Sequence, residues 1–219
     1  MIFVNYKTYE EGSGQRALAL TKILEEVAKA SQVKIIPVVQ ALDAESVVAQ
    51  TALEVWIQHA DPVSFGANTG WTVPEEAAKA GISGVFLNHS EHKFENFDSL
   101  YTATEKAIAA NLKTLVFAGN LEELTQVAEL GTTYVAYEPP ELIGSATTSV
   151  TTAQPEVVAK AAEIARAKGL PLIVGAGVHS REDVKKSLEL GAVGVAVATD
   201  VVKAADPRKE LLDLTEGFK

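Results

Sequence analysis

The sequence predicts an α/β protein in which eight strand–helix units alternate along the chain. Short apolar runs rich in β-branched residues recur over all 219 residues, amphipathic stretches lie between them, and glycines mark the junctions. Runs of this kind are typical of parallel strands that are buried on both faces. Alternation alone fits either a closed eight-stranded barrel or an open, doubly wound sheet.

The predicted strands are short and almost wholly apolar. They cover residues 2–4, 35–39, 55–57, 85–87, 115–117, 134–137, 172–174 and 195–197. No change of composition separates one unit from the next, so we expect one domain over residues 1–219.

Helix signals fill the intervals between these runs. Leu20 and Leu24 fall at helical spacing, Pro155 stands where a first helical turn tolerates proline, and Ser180 with Asp183 has the spacing of a capping box. Four glycines that precede apolar runs are expected to end helices in the left-handed conformation: Gly81, Gly131, Gly169 and Gly191.

Composition and charge exclude several classes of protein. Hydrophobic residues make up 47% and charged residues 22%, as in ordinary globular proteins. The 19 basic and 29 acidic residues give a net charge of -10, which disfavours nucleic acids and anionic membranes as partners. With no cysteine and no apolar signal segment in residues 1–7, we expect a cytoplasmic protein without disulfides or thiolate chemistry.

Polar residues and glycines follow several of the predicted strands. In barrels and open parallel sheets alike, ligands bind at the carboxyl ends of the strands, so these positions are the candidate site. The candidates are Asn5, Lys7, His89, Glu91, Glu138, Gly175, Gly177, Ala198 and Thr199.

Each candidate also has a structural explanation. Lys7 fits a solvated lysine at a strand end, His89 fits a hydrogen-bonded structural histidine, and Glu138 precedes Pro139, which holds it extended. A metal site is not expected, because the His89-x-x-His92 spacing lacks a third ligand nearby. His59 and His179 have no evident partner in the sequence and are assigned no chemistry.

Five motifs in order resemble the triosephosphate isomerase family in its short archaeal form, over nearly the whole chain. They are Asn5-Tyr-Lys7, Gly66-Ala-Asn-Thr-Gly70, Asn88-His-Ser-Glu91, Tyr137-Glu-Pro-Pro-Glu-Leu-Ile-Gly144 and Gly175-Ala-Gly177. The resemblance implies a single-domain (β/α)8 TIM barrel. It also implies the cofactor-independent interconversion of dihydroxyacetone phosphate and D-glyceraldehyde 3-phosphate, a reaction of glycolysis and gluconeogenesis.

The resemblance assigns roles to individual residues. Glu138 is the base, His89 is the neutral imidazole that polarises the carbonyl, and Lys7 faces the developing enediolate. Glu91 supports them. The residues implied in substrate binding are Asn5, Lys7, Ile143, Gly144, Gly175, Gly177, Ala198 and Thr199.

Two long loops acquire roles from the same resemblance. Residues 139–153 correspond to a lid over the phosphate. Residues 61–72 correspond to a segment that inserts into a neighbouring subunit, where Thr69 reaches Asn5 and Lys7 of the partner. We therefore expect a homo-oligomer, either a dimer or a tetramer.

The sequence departs from the family pattern at a few positions. His92-Lys93 stands where two arginines are usual, and Asp200 stands where a small residue is expected beside the phosphate. The carboxylate of Asp200 has to point away for the substrate to bind. Two other functions remain open: an aldolase that uses Lys7 as a Schiff-base nucleophile, and a barrel that binds a phosphorylated metabolite without turnover.

Overall fold

Eight parallel strands close into a barrel in the computed structural model, which describes residues 1–139 and 154–219. The strands follow one another in sequence order, and the first pairs with the last through Ile2 and Val195. They are β1 (Ile2–Asn5), β2 (Ile35–Val39), β3 (Trp56–Ile57), β4 (Gly84–Leu87), β5 (Lys113–Ala118), β6 (Tyr134–Tyr137), β7 (Leu172–Val174) and β8 (Gly194–Val197). The closed barrel is confirmed, and the open sheet is excluded.

Helices follow the strands on the outside of the barrel. In the described ranges these are α1 (Gly14–Ser31), α2 (Ala41–Val48), α3 (Pro74–Lys79), α4 (Phe97–Ala109), α5 (Leu121–Val127), α6 (Pro155–Ala167), α7 (Arg181–Glu189), α8 (Thr199–Val202) and α9 (Pro207–Glu216), with a 3-10 turn at Glu10–Gly12. None of the helices in these ranges has the length and apolarity needed to cross a membrane.

Most of the predicted helix boundaries hold, but α5 ends at Val127, so Gly131 lies three residues beyond its C-cap Ala128. Ser180 and Asp183 form the reciprocal capping box at the start of α7, and Pro155 is the first residue of α6. Gly81, Gly131, Gly169 and Gly191 have φ between 68° and 101°, a conformation that side-chain-bearing residues seldom adopt.

Strand alternation divides the apolar residues into two cores. Ile35 and Val39 of β2 point outward and pack with the helices, whereas Ile36 and Val38 point into the barrel. Aromatic rings fill the barrel interior, and the rings of Phe3 and Trp56 meet edge to face with centroids 5.0 Å apart. The barrel is therefore a packed core, and its mouth is left as the place for a ligand.

Gly84→Ala tests this packing. A Cβ atom at Gly84 would overlap three ring atoms of the fully buried Trp56, so the strand or the ring has to move. We expect the free energy of unfolding to fall by about 1–3 kcal/mol, the usual cost of overpacking a core. Chemical denaturation measures this change in the free energy of unfolding. Gly66→Ala is the matched control, since its Cβ would make only ordinary contacts. Equal stability of the two variants would contradict this account of the barrel interior.

Candidate active site

The carboxyl of Glu138 lies at the mouth of the barrel, directly after β6. Its backbone N–H donates to the carbonyl of Ala118 at 2.9 Å, which extends the pairing with β5 by one residue. The side chain is only 6% exposed, and its Oε2 accepts a hydrogen bond from Ser90 Oγ at 3.0 Å. Burial raises the pKa of this carboxyl to about 7, against the lowering effects of Ser90 and Lys7.

The imidazole of His89 stands beside that carboxyl, with Nε2 3.5 Å from Glu138 Oε2. Its Nδ1 accepts the backbone N–H of Glu91 at 3.2 Å, so the proton of the neutral ring is on Nε2. Burial lowers the pKa of His89 to about 4, which Glu91 opposes and Lys7 reinforces. At neutral pH the ring is therefore an uncharged donor that faces Glu138.

Asn88 sets the direction of His89. Its φ of 60° is left-handed, and its side-chain amide donates to the carbonyl of Phe117 and to Glu123 Oε1 at 3.0 and 2.8 Å. Phe94 N–H donates to Asn88 Oδ1 at 3.3 Å. The end of β4 is thus anchored to β5 and α5 immediately before the imidazole.

The ammonium group of Lys7 approaches the same mouth from β1. Its Nζ forms an ion pair with Glu91 Oε1 at 2.7 Å. The backbone of Lys7 is left-handed, with φ 48°, and is held by Asn5 Oδ1 at its N–H and by Gln58 Nε2 at its carbonyl, at 3.0 and 2.9 Å. The strained backbone of Lys7 is held by these hydrogen bonds and directs its ammonium group toward His89 and Glu138.

Gly175 leaves room for the Glu138 carboxyl. A Cβ atom at Gly175 would lie 3.3 Å from Glu138 Cβ and 3.5 Å from Phe117 Cε1. The backbone N–H groups of Gly177, Ala198 and Thr199 donate to no other residue within 1–139 and 154–219. These three amides are available to an anion at the β7 and β8 end of the mouth.

One cavity collects most of the predicted site residues. It is lined by Asn5, Lys7, His89, Glu138, Gly175, Gly177, Ala198 and Thr199, and Glu91 reaches it through Lys7. Thr69 is exposed on the 61–72 loop and makes no hydrogen bond to Asn5 or Lys7 of its own chain in the described ranges. Ile143 and Gly144 lie outside the described residues.

Sequence reasoning assigned no role to three residues that shape the site. Asn88 and Ser90 belong to the motif Asn88-His-Ser-Glu91, but their hydrogen bonds cross to other loops and strands, and Phe117 looks like any other strand residue. The expectation that His59 and His179 lack partners is wrong: His59 Nε2 lies 3.3 Å from Asp61 and its ring stacks on His92, while His179 Nδ1 lies 2.6 Å from Asp200. In the part of the chain that is described, no group of three or more metal-binding side chains comes together.

Comparison with known proteins identifies the family. A closed parallel barrel whose mouth holds a buried carboxyl, a neutral imidazole and an ammonium group defines a (β/α)8 enzyme of the acid–base class. The family model for triosephosphate isomerase matches residues 1–217, and the chain belongs to that family.

Relatives named triosephosphate isomerase cover almost the whole chain. The protein of Metallosphaera sedula is 39% identical over 218 residues, which is 99% of this chain and 95% of the relative. Those of Methanobacterium bryantii and Sulfolobus acidocaldarius are each 37% identical, over 98% and 99% of this chain and 95% and 94% of their own lengths.

Glu138→Gln tests the raised pKa of the carboxyl through stability. In the folded state the pKa is about 7, against 4.5 in the reference state, so between these values the folded protein holds the proton more tightly than the unfolded chain. The free energy of unfolding of the native protein therefore falls as the pH rises through this window. The variant has no ionisable group at this position, so its free energy of unfolding does not fall in this way. We expect the free energy of unfolding of the variant minus that of the native protein to be on the order of 2–3 kcal/mol larger above pH ~7 than at pH ~4.

Urea denaturation at a series of pH values measures this difference. Glu129→Gln is the control, because Glu129 is an exposed glutamate and the chemical change is the same. A difference between Glu138→Gln and the native protein that stays constant with pH would contradict the raised pKa.

Proposed function

We propose that Lys7, His89 and Glu138 carry out the reaction of the triosephosphate isomerase family in this chain, the interconversion of dihydroxyacetone phosphate and D-glyceraldehyde 3-phosphate. The observation that carries the proposal is the buried Glu138 carboxyl. Its pKa is about 7, and its Oε2 lies 3.5 Å from Nε2 of the neutral His89 imidazole. A base works best when its pKa lies near the working pH.

Glu138 acts as the base. Its carboxylate removes a proton from the carbon next to the substrate carbonyl and leaves an enediolate, and the resulting carboxylic acid returns a proton to the former carbonyl carbon. The hydroxyl proton on the first carbon's oxygen passes to the oxygen of the former carbonyl, so the carbonyl group has moved by one carbon. Substrate and product are isomers of the same oxidation level, so the reaction needs no external oxidant or reductant. Burial supports this role, because a carboxylate without water around it accepts a proton readily.

His89 and Lys7 stabilise the enediolate. The Nε2–H of the neutral His89 donates to the oxygen on which negative charge develops, and the ammonium of Lys7 lowers the energy of that charge. Both groups are held before the substrate arrives, by Asn88 and by the left-handed backbone of Lys7, so little reorganisation is needed during the reaction. Asn5 supports Lys7 because its side-chain Oδ1 accepts the backbone N–H of Lys7. Glu91 supports both groups: its backbone N–H donates to His89 Nδ1, and its carboxylate pairs with the Lys7 ammonium.

The phosphate group binds at the β7 and β8 side of the mouth. The backbone N–H groups of three cavity-lining residues support this assignment, since they donate to nothing in the described ranges and several such groups together bind an anion well: Gly177, Ala198 and Thr199. Gly175 keeps the neighbouring wall small. Ile143 and Gly144 complete the proposal as lid residues on the basis of the family resemblance alone.

Glu138→Asp is the experiment that tests the function. The shorter side chain withdraws the carboxyl by roughly 1 Å, and misplacement of that size costs about 100-fold in rate. A coupled assay of isomerisation should show a fall in kcat of this size with a smaller change in KM, because phosphate binding is untouched. Glu129→Asp is the control at an exposed site. A fully active Glu138→Asp enzyme would remove Glu138 from the role of base.

The 61–72 loop is the proposed contact with a second copy of the chain. Its base is closed by two hydrogen bonds between Asp61 and Thr72, at 2.9 and 2.6 Å. The side chains of Phe65 and Trp71 are 57% and 51% exposed on this loop. Burial of these two rings in a partner would favour association, and Thr69 would then reach Asn5 and Lys7 of the partner.

Trp71→Ala tests this contact. We expect the variant to dissociate at a protein concentration at least about tenfold higher than the native protein, since a buried tryptophan is a frequent interface hot spot. Analytical ultracentrifugation gives the association state, and specific activity should fall over the same concentration range. Leu42→Ala, another exposed apolar residue at 92% exposure but outside the loop, serves as the control. A monomer with full activity would refute the role of Thr69.

A further inference from the structure

A histidine–aspartate pair lies beside the proposed phosphate site and has no role in the mechanism above. His179 Nδ1 and Asp200 Oδ2 are 2.6 Å apart. An ionised carboxylate can only accept, so Nδ1 is the donor. Within the described residues, Asp200 has no other side-chain partner.

The two residues join the two loops that carry the phosphate-binding amides. His179 follows Gly177 by two positions in the loop after β7, and Asp200 follows Thr199 at the start of α8. The backbone of His179 is itself fixed, because its N–H donates to Asp183 Oδ2 at 3.1 Å in the capping box of α7. The imidazole is therefore presented to Asp200 from a well-anchored turn.

The position of Asp200 creates an electrostatic difficulty. Both Asp200 and His179 line the cavity that also contains Lys7, Glu138 and Thr199. The side chain of Asp200 is 45% exposed, so without a partner it is free to rotate toward the cavity. A carboxylate beside a phosphate dianion repels it, and the repulsion is strongest where protein shields the site from water.

We propose that His179 is a positioning residue that holds the carboxylate of Asp200 away from the phosphate site and thereby sets the affinity for the phosphate group. This inference rests on the proposed function, because that function places the substrate phosphate at the amides of Gly177, Ala198 and Thr199. The hydrogen bond to His179 fixes the direction of the Asp200 carboxylate and uses one of its oxygens. It explains how an acidic residue is accommodated at this end of the cavity.

A double-mutant cycle tests the proposal, with inorganic phosphate as the probe. The inhibition constant of phosphate and the kcat and KM for the triose phosphate are measured for His179→Ala, Asp200→Asn and the double variant. For His179→Ala we expect the inhibition constant and KM to rise together by about five- to tenfold, the scale of one unrestrained charge near a dianion in a partly hydrated site. The kcat value should change less, since the catalytic groups stay in place.

The double variant separates electrostatic restraint from simple loss of structure. With the charge of Asp200 removed, loss of His179 should matter little, and phosphate affinity should return to within about twofold of Asp200→Asn. His179→Asn keeps a donor near the position of Nδ1 and should bind phosphate as the native protein does. Asp213→Asn is the charge-matched control: it removes a carboxylate that pairs with Arg181 of α7 at 2.6 Å and does not line the cavity.

Two results would overturn the inference. One is an inhibition constant for His179→Ala equal to that of the native protein, and the other is a double variant as weak as His179→Ala. A failure of the proposed function looks different, because the native protein would then bind phosphate and show no isomerisation. Calorimetry of phosphate binding does not depend on turnover and keeps the two failures apart.

Discussion

The burial of the Glu138 carboxyl is the constraint on which the rest of the site depends. A carboxyl that loses its water becomes a much better base, but only if the surrounding chain leaves space for it and supplies few compensating donors. Gly175 and Phe117 line the same cavity as this carboxyl, and among the described residues Ser90 is the side chain that donates to it. The raised pKa follows from this arrangement, and so does the loss of stability that we expect for the native protein as the carboxyl ionises.

The barrel makes such a site possible because it separates stability from chemistry. The interior layer that contains Phe3 and Trp56, and the outer layer between strands and helices, are apolar and tightly packed. The strained backbone positions at the site, Lys7 and Asn88, lie beyond the strand ends, where side-chain hydrogen bonds to Gln58, Phe117 and Glu123 hold them. Strain at the mouth is therefore supported by elements that the core already fixes.

The sequence predicts the strands well because a buried parallel strand leaves a local signal, an uninterrupted apolar run such as residues 35–39. It predicts candidate site positions because parallel strands bring their carboxyl ends together, so a polar residue such as Glu138 after a run stands out. Contacts across loops leave no such signal. Ser90 with Glu138, and His179 with Asp200, are separated by 48 and 21 positions, and no spacing rule connects them. Phe117 is hidden for another reason: strand alternation turns it into the barrel, where its ring faces His89.

The net charge of -10 makes anion binding a local problem for this protein. The overall field repels a triose phosphate, so each acidic group near the mouth must be offset where it stands. Glu91 is paired with Lys7, Asp200 is paired with His179, and burial itself favours the neutral form of Glu138. In the proposed site, the amides of Gly177, Ala198 and Thr199, which donate to no described residue, act on the phosphate at short range, where they outweigh a distant and screened surface charge. If the phosphate binds as proposed, its affinity depends on these local pairs far more than on the total charge of the chain.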